Sequence, residues 1–180
     1  TVTVSGMQEQ VEYTGSAITF PLVVKDGDTA LIENTDYSIA YAVDGTVVGN
    51  TASLDADNKP LTVGTYTVTV TGKDNYNDAK TPVIFQITQA TNVWTTQPSI
   101  AKWESGSTPS NPVAVAKFQA ATGEPVFTYY TDNTYGTTFT LGTDTLPGTY
   151  YMLATVAGTT NWTALSEYVA FTVTQSIADA

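Results

Sequence analysis

The chain repeats itself. Residues 72–89 read GKDNYNDAKTPVIFQITQ and residues 158–175 read GTTNWTALSEYVAFTVTQ. Gly72, Asn75, Tyr76, Val83 and Phe85 thus recur as Gly158, Asn161, Trp162, Val169 and Phe171, each 86 positions on and with no gap. A self-match at a spacing close to one small domain means two copies of one unit. The 180 residues divide into a first domain at 1–89 and a second, diverged one at 90–180 that closes with a short C-terminal tail. Residues 90–92 are too few for a free linker, so an elongated, end-to-end pair is expected.

Each copy reads as β structure. Residues 64–72, GTYTVTVTG, alternate strictly, with Tyr66, Val68 and Val70 on one face and Thr65, Thr67, Thr69 and Thr71 on the other. Period two in β-branched residues is the pattern of a half-buried strand. Residues 1–5, 17–25, 37–43 and 82–89 read as further strands, Asp44-Gly45 as a hairpin turn, and 47–54 as room for one or two short strands. Pro21 has no amide to give to a ladder, which puts its end of the strand at an edge or bulge. In the second copy, strands are expected at 126–130, 137–141 and 150–157. Trp103 to Gly106 stands for Tyr13-Thr14-Gly15. The six steps from Gly106 to Pro112 match those from Gly15 to Pro21, setting Val113 and Val115 where Leu22 and Val24 sit. The strand at 150–157 is two residues longer than its counterpart, and a shift of two keeps every side chain on its face. Ala154 therefore faces with Val68, and Val156 with Val70. No helical period is sustained anywhere. The fold class is all-β: two tandem antiparallel sandwiches of about seven short strands each.

Gly64-x-Tyr66-x-Val68, mirrored by Gly148-x-Tyr150-x-Met152, resembles the tyrosine corner of immunoglobulin-like domains, with Val68 and Met152 in the place of the usual cysteine. The set Tyr13-Thr14-Gly15, Lys25-Asp26-Gly27, Asn34-Thr35-Asp36-Tyr37, Gly64-Thr65-Tyr66 and Gly72-Lys73-Asp74-Asn75-Tyr76 is similar to the bacterial Ig-like repeats found in tandem in cell-surface proteins. The likeness covers most of 1–89 and extends more weakly over 90–175. It implies an extracellular, bacterial cell-surface stalk, spacer or adhesin segment, and it implies no catalytic residue.

Composition removes several function classes. Six basic against 17 acidic residues leave a net charge of −11, a field that repels nucleic acid and anionic lipid. There is no histidine and no cysteine, so Ser-His-Asp and Cys-His catalysis, His-containing zinc sites and disulfides are all out of reach. No apolar run approaches the ~20 residues of a membrane helix, so no membrane insertion is expected of this segment. The opening TVTV already reads as strand, as in a monomeric fragment of a longer chain.

Four sets of residues could carry chemistry. Asp26 and Asp28, Asp55, Asp57 and Asn58, and Asp74-Asn75 with Asn77-Asp78 offer oxygens to calcium, but none has EF-hand spacing and turn chemistry accounts for all of them. Glu104, Glu124 and Glu167 could supply a glycosidase pair, yet nothing brings two of them together. Lys117, read as lying in a strand, could form an isopeptide bond, but the closing strands hold no Asn or Asp to receive it. Among the aromatics, Trp103 and Trp162 have counterparts in Tyr13 and Tyr76 and read as core or corner residues. Trp94 has none and is the one candidate interdomain or ligand contact. The reading is a non-catalytic structural or spacer segment that supports adhesion, with no metal and no cofactor. The alternative is an adhesin module that binds an unknown surface protein or glycan through loop residues or exposed aromatics.

Overall fold

The computed structural model describes residues 2–76 and 80–176. The chain forms two compact units, Thr1–Ala90 and Thr91–Ala180. In the first, β1 (Val2–Ser5), β3 (Val23–Asp26) and β4 (Thr29–Ala30) make one antiparallel sheet. The other sheet runs in the order β2-β7-β6-β5, built from β2 (Gln10–Glu12), β5 (Tyr37–Val43), β6 (Gly64–Gly72) and β7 (Lys80–Thr88). Its neighbours are antiparallel except β2, which lies parallel to β7 and pairs Val11 with Ile87. The start of the chain thus crosses from one sheet to the other, with the residues between β1 and β2 as the step.

Both sheets turn an apolar face inward. Tyr66, Val68 and Val70 are buried and the threonines between them half-buried, as the alternation requires. Val24 of one sheet packs with Tyr37 and Val70 of the other, which closes a sandwich. Phe85 is the hub of the larger cluster. Tyr66 stacks on it at 5.4 Å and Phe20 meets it edge-on at 4.8 Å.

The second unit repeats this order. β8 (Trp94–Ile100) pairs with β10 (Pro112–Ala116), and the larger sheet runs β12-β11-β13-β14-β9. Its strands are β9 (Trp103–Glu104), β11 (Val126–Tyr130), β12 (Thr138–Phe139), β13 (Gly148–Val156) and β14 (Leu165–Thr174). Again the early short strand lies parallel to the last, with Trp103 opposite Val173. One short helix, α1 (Gln119–Thr122), precedes β11. By their ladder partners Tyr150 matches Tyr66, Met152 matches Val68 and Phe171 matches Phe85. Met152, Ala154 and Val156 are all buried, so the longer hairpin leaves the inward face intact.

Four expectations are corrected. Residues 47–54 form no strand; Leu54 and Pro60 make only an isolated bridge. The Asn50 side chain does a strand's work there. Its Nδ2 donates to the carbonyls of Asp44 (3.0 Å) and Thr65 (2.8 Å), and its Oδ1 accepts from the amides of Ala52 (3.1 Å) and Thr65 (3.0 Å). The strand expected from residue 17 begins only at Val23, because Phe20 turns into the core and Pro21 has no amide to pair. Val113 and Val115 do not sit where Leu22 and Val24 do. They face outward at 51% and 41% exposure, and Ala116 takes the buried place of Val24. Finally, Trp103 matches Val11 and not Tyr13, since the parallel ladder sets it against Val173 as Val11 is set against Ile87.

The last two corrections share a cause. The first unit drops Phe20 into its core just before Pro21, whereas Asn111, just before Pro112, is exposed. Without that anchor the strand settles one residue over, and a slip of one exchanges its faces. Trp103 supplies the missing ring by stacking on Phe171 at 5.6 Å.

Candidate functional site

Two hydroxyls hold the corners that shape each unit. The Tyr66 hydroxyl lies within donor distance of the carbonyls of Thr62 (2.5 Å) and Ser53 (2.9 Å). It accepts from the amides of Ser53 (3.0 Å) and Thr62 (3.1 Å). One phenol therefore ties two turns of a strand-poor loop to the core. The Tyr150 hydroxyl donates to the Leu146 carbonyl at 2.9 Å, the same reach of four residues upstream.

The sequence-derived candidates fall as follows. Trp94 opens β8, is half-buried and lies opposite Ala116. Asp55 spends its carboxylate on its own turn, accepting from the amides of Asp57 (2.9 Å) and Lys59 (2.8 Å). Asn77 and Asp78 lie outside the described residues. Among the described residues no group of three or more acidic side chains is arranged to hold a metal ion. Glu104 sits opposite Thr174, seven positions along β14 from Glu167, or roughly 23 Å at 3.3 Å per residue. That exceeds the roughly 5–9.5 Å separation of glycosidase pairs. The carboxylate of Glu124 accepts from the Gln119 side-chain amide. Lys117 lies just past the end of β10, not within it; it is exposed, with Nζ 5.0 Å from the centre of the Phe118 ring.

The structure brings together a cluster that the sequence reading missed. Tyr130, Tyr151 and Tyr168 alternate with the core residues Tyr129, Met152 and Val169, so they project from the outer face of the five-stranded sheet. The turn after β11 lays Tyr135 over them. Tyr135 stacks on Tyr168 at 3.9 Å and meets Tyr130 (5.5 Å) and Tyr151 (5.9 Å) edge-on. Tyr135 is held in the left-handed region at φ 57°, an uncommon place for a bulky residue. Asp132 braces the turn: its Oδ1 accepts from the Thr134 amide at 2.8 Å and from the Thr134 hydroxyl, and its carbonyl accepts from the Tyr135 amide. The signal in the sequence was the two doublets, Tyr129-Tyr130 and Tyr150-Tyr151. At period two a doublet must put one ring inside and one outside.

Two antiparallel sandwiches with seven strands each among the described residues, each pinned by a tyrosine corner, are tandem immunoglobulin-like domains. No protein-family model matches the chain, and no curated protein does. Among solved structures it is similar to the titin domains Z1Z2 in complex with telethonin, at 13% identity over 97% of either chain and a TM-score of 0.42. It is also similar to a chimeric titin Z1Z2 functionalized with a KLER exogenous peptide from decorin, at 12% identity over 97% of either chain and a TM-score of 0.28. The strand ladders and the tyrosine corners define the fold.

Proposed function

We propose that the chain is a non-catalytic spacer segment of a secreted or cell-surface bacterial protein, one that supports adhesion by holding another part of that protein away from the cell. It works without a cofactor. The observation that supports this most is the parallel pairing of an early strand with the last strand in both units. In a parallel pair the chain enters one strand and leaves the other at opposite ends. A pull on the two ends of a unit therefore runs along the ladder and loads its hydrogen bonds together, in shear, instead of opening them one by one. A segment that bears load between an anchor and a working tip needs this resistance and no reactive group. The absence of histidine and cysteine and the separation of Glu104 from Glu167 agree with it.

Single-molecule stretching of the whole chain tests the reading. The Tyr13 amide donates to Thr88 at 2.9 Å and the Ser105 amide to Thr174 at 2.8 Å, one bond at each parallel ladder. Proline at either position deletes that donor. Tyr13→Pro should lower the unfolding force of the first unit alone, and Ser105→Pro that of the second alone. If neither substitution changes the force, the ladders do not bear the load and the spacer reading falls.

A further inference from the structure

The second unit carries four tyrosines that its fold does not require, and the first unit is the control. By ladder position Tyr151 corresponds to Thr67, Tyr168 to Pro82, and Tyr130, opposite Tyr151, to Ala42, opposite Thr67. The same sheet thus forms with small or polar residues at all three outward places. In the second unit they are phenols, and a turn with a left-handed Tyr135 adds a fourth ring to the patch. Tyr168 is 48% exposed and the other three are half-buried. Among the described residues no hydrogen bond engages any of the four hydroxyls. Such a surface spends side-chain order and apolar exposure on something other than stability.

We propose that this face binds a neutral glycan, with the outward side of the Tyr135 ring and the part of Tyr168 that Tyr135 leaves uncovered as the stacking surface and the hydroxyls of Tyr130 and Tyr151 as hydrogen-bonding groups beside it. Three features select that ligand. Phenol rings present flat apolar area with a polar rim, which matches the apolar face and equatorial hydroxyls of a pyranose. A chain of net charge −11 repels sulfated, sialylated or phosphorylated ligands and is indifferent to uncharged ones. The patch is also small. Four partly exposed rings, with Leu153 and Ala170 between them and Thr128, Thr149, Ser166 and Thr172 around them, fall short of the roughly 800 Å² per partner that a stable protein interface covers. They fit two or three sugar rings. The site does not depend on the spacer reading: unfolding force and glycan retention are separate measurements, and either can fail while the other holds.

The test is an oligosaccharide array probed with the intact chain, followed by titration of the best-retained compound. The array holds cello-, xylo-, malto- and N-acetylglucosamine oligomers beside sialylated and sulfated glycans. Retention of one or more neutral oligomers is expected, with Tyr168→Ala weakening it about tenfold and Tyr168→Phe, which keeps the ring, by no more than about threefold. Should Tyr168→Ala fail to fold, Tyr130→Ala with Tyr151→Thr installs the residues that the first unit carries at those places, and it should also weaken binding. The proposal is overturned if no neutral oligomer binds at up to about 10 mM, if only charged glycans are retained, or if binding survives the tyrosine variants.

Discussion

Tyr66 and Tyr150 occupy matching positions but are not equally committed. Tyr66 is fully buried, and its hydroxyl serves amides and carbonyls at both Ser53 and Thr62. Removing that oxygen leaves donors with no replacement, a loss of about 1–3 kcal/mol. Tyr150 is half-buried and gives one bond to Leu146, an exposed residue whose carbonyl water can reach. Its loss costs about 0.5–1.5 kcal/mol. Chemical denaturation of Tyr66→Phe and Tyr150→Phe should show the first midpoint displaced clearly more than the second; equal displacements would contradict this account. Both corners were legible as a Gly-x-Tyr pattern at the head of a Thr/Val run. The outer tyrosines were not, because a turn residue such as Tyr135 follows no period, and only coordinates show which rings it meets.

At the scale of elements, the hairpins behave less alike than the repeat suggests. Gly72 ends β6, and a Cβ built there would overlap the Tyr76 carbonyl in the turn that follows. Gly158 has more room, its nearest neighbour being the Ala164 amide nitrogen at 2.9 Å. Gly72→Ala should therefore cost about 1–3 kcal/mol or more through backbone displacement, and Gly158→Ala less, as read from melting temperatures of the two variants. The long strands were readable because nine or ten residues of alternation leave one register. The short ones, β2, β4 and β9, were not, since two or three residues carry no period. The slip at β10 shows a second limit. Equal spacing from Gly106 to Pro112 and from Gly15 to Pro21 passes through irregular chain, where a count of residues does not fix a face. Phe20 against Asn111 was the sign that the two segments would settle differently.

For the whole molecule, the absence of histidine and cysteine leaves no side chain with an ordinary pKa between about 5 and 8. At the acid end, the Thr46 hydroxyl and amide hold the Asp44 carboxyl below its usual 3.8, and those of Thr134 do the same for Asp132. A carboxyl lowered by folding contributes stability above 3.8, and that contribution is lost as pH falls through the folded value. At the alkaline end, burial raises Tyr37, Tyr41 and Tyr129 above 10.0. Here the stability is full below 10.0 and lost as pH rises through the folded values. Melting temperature should be level from about pH 5 to 9 and fall on both sides; a steep change within that interval would count against the assignment. The short parallel strands have one more consequence. β2 and β9 span only three and two residues, yet they sit on the outer borders of β7 and β14. Trim a unit past the end of its β2 or β9 and that border lies bare, a row of unmet amides and carbonyls on which another molecule's strand can seat itself. How a recombinant version is cut thus decides whether it stays in solution as single molecules or grows into aggregates.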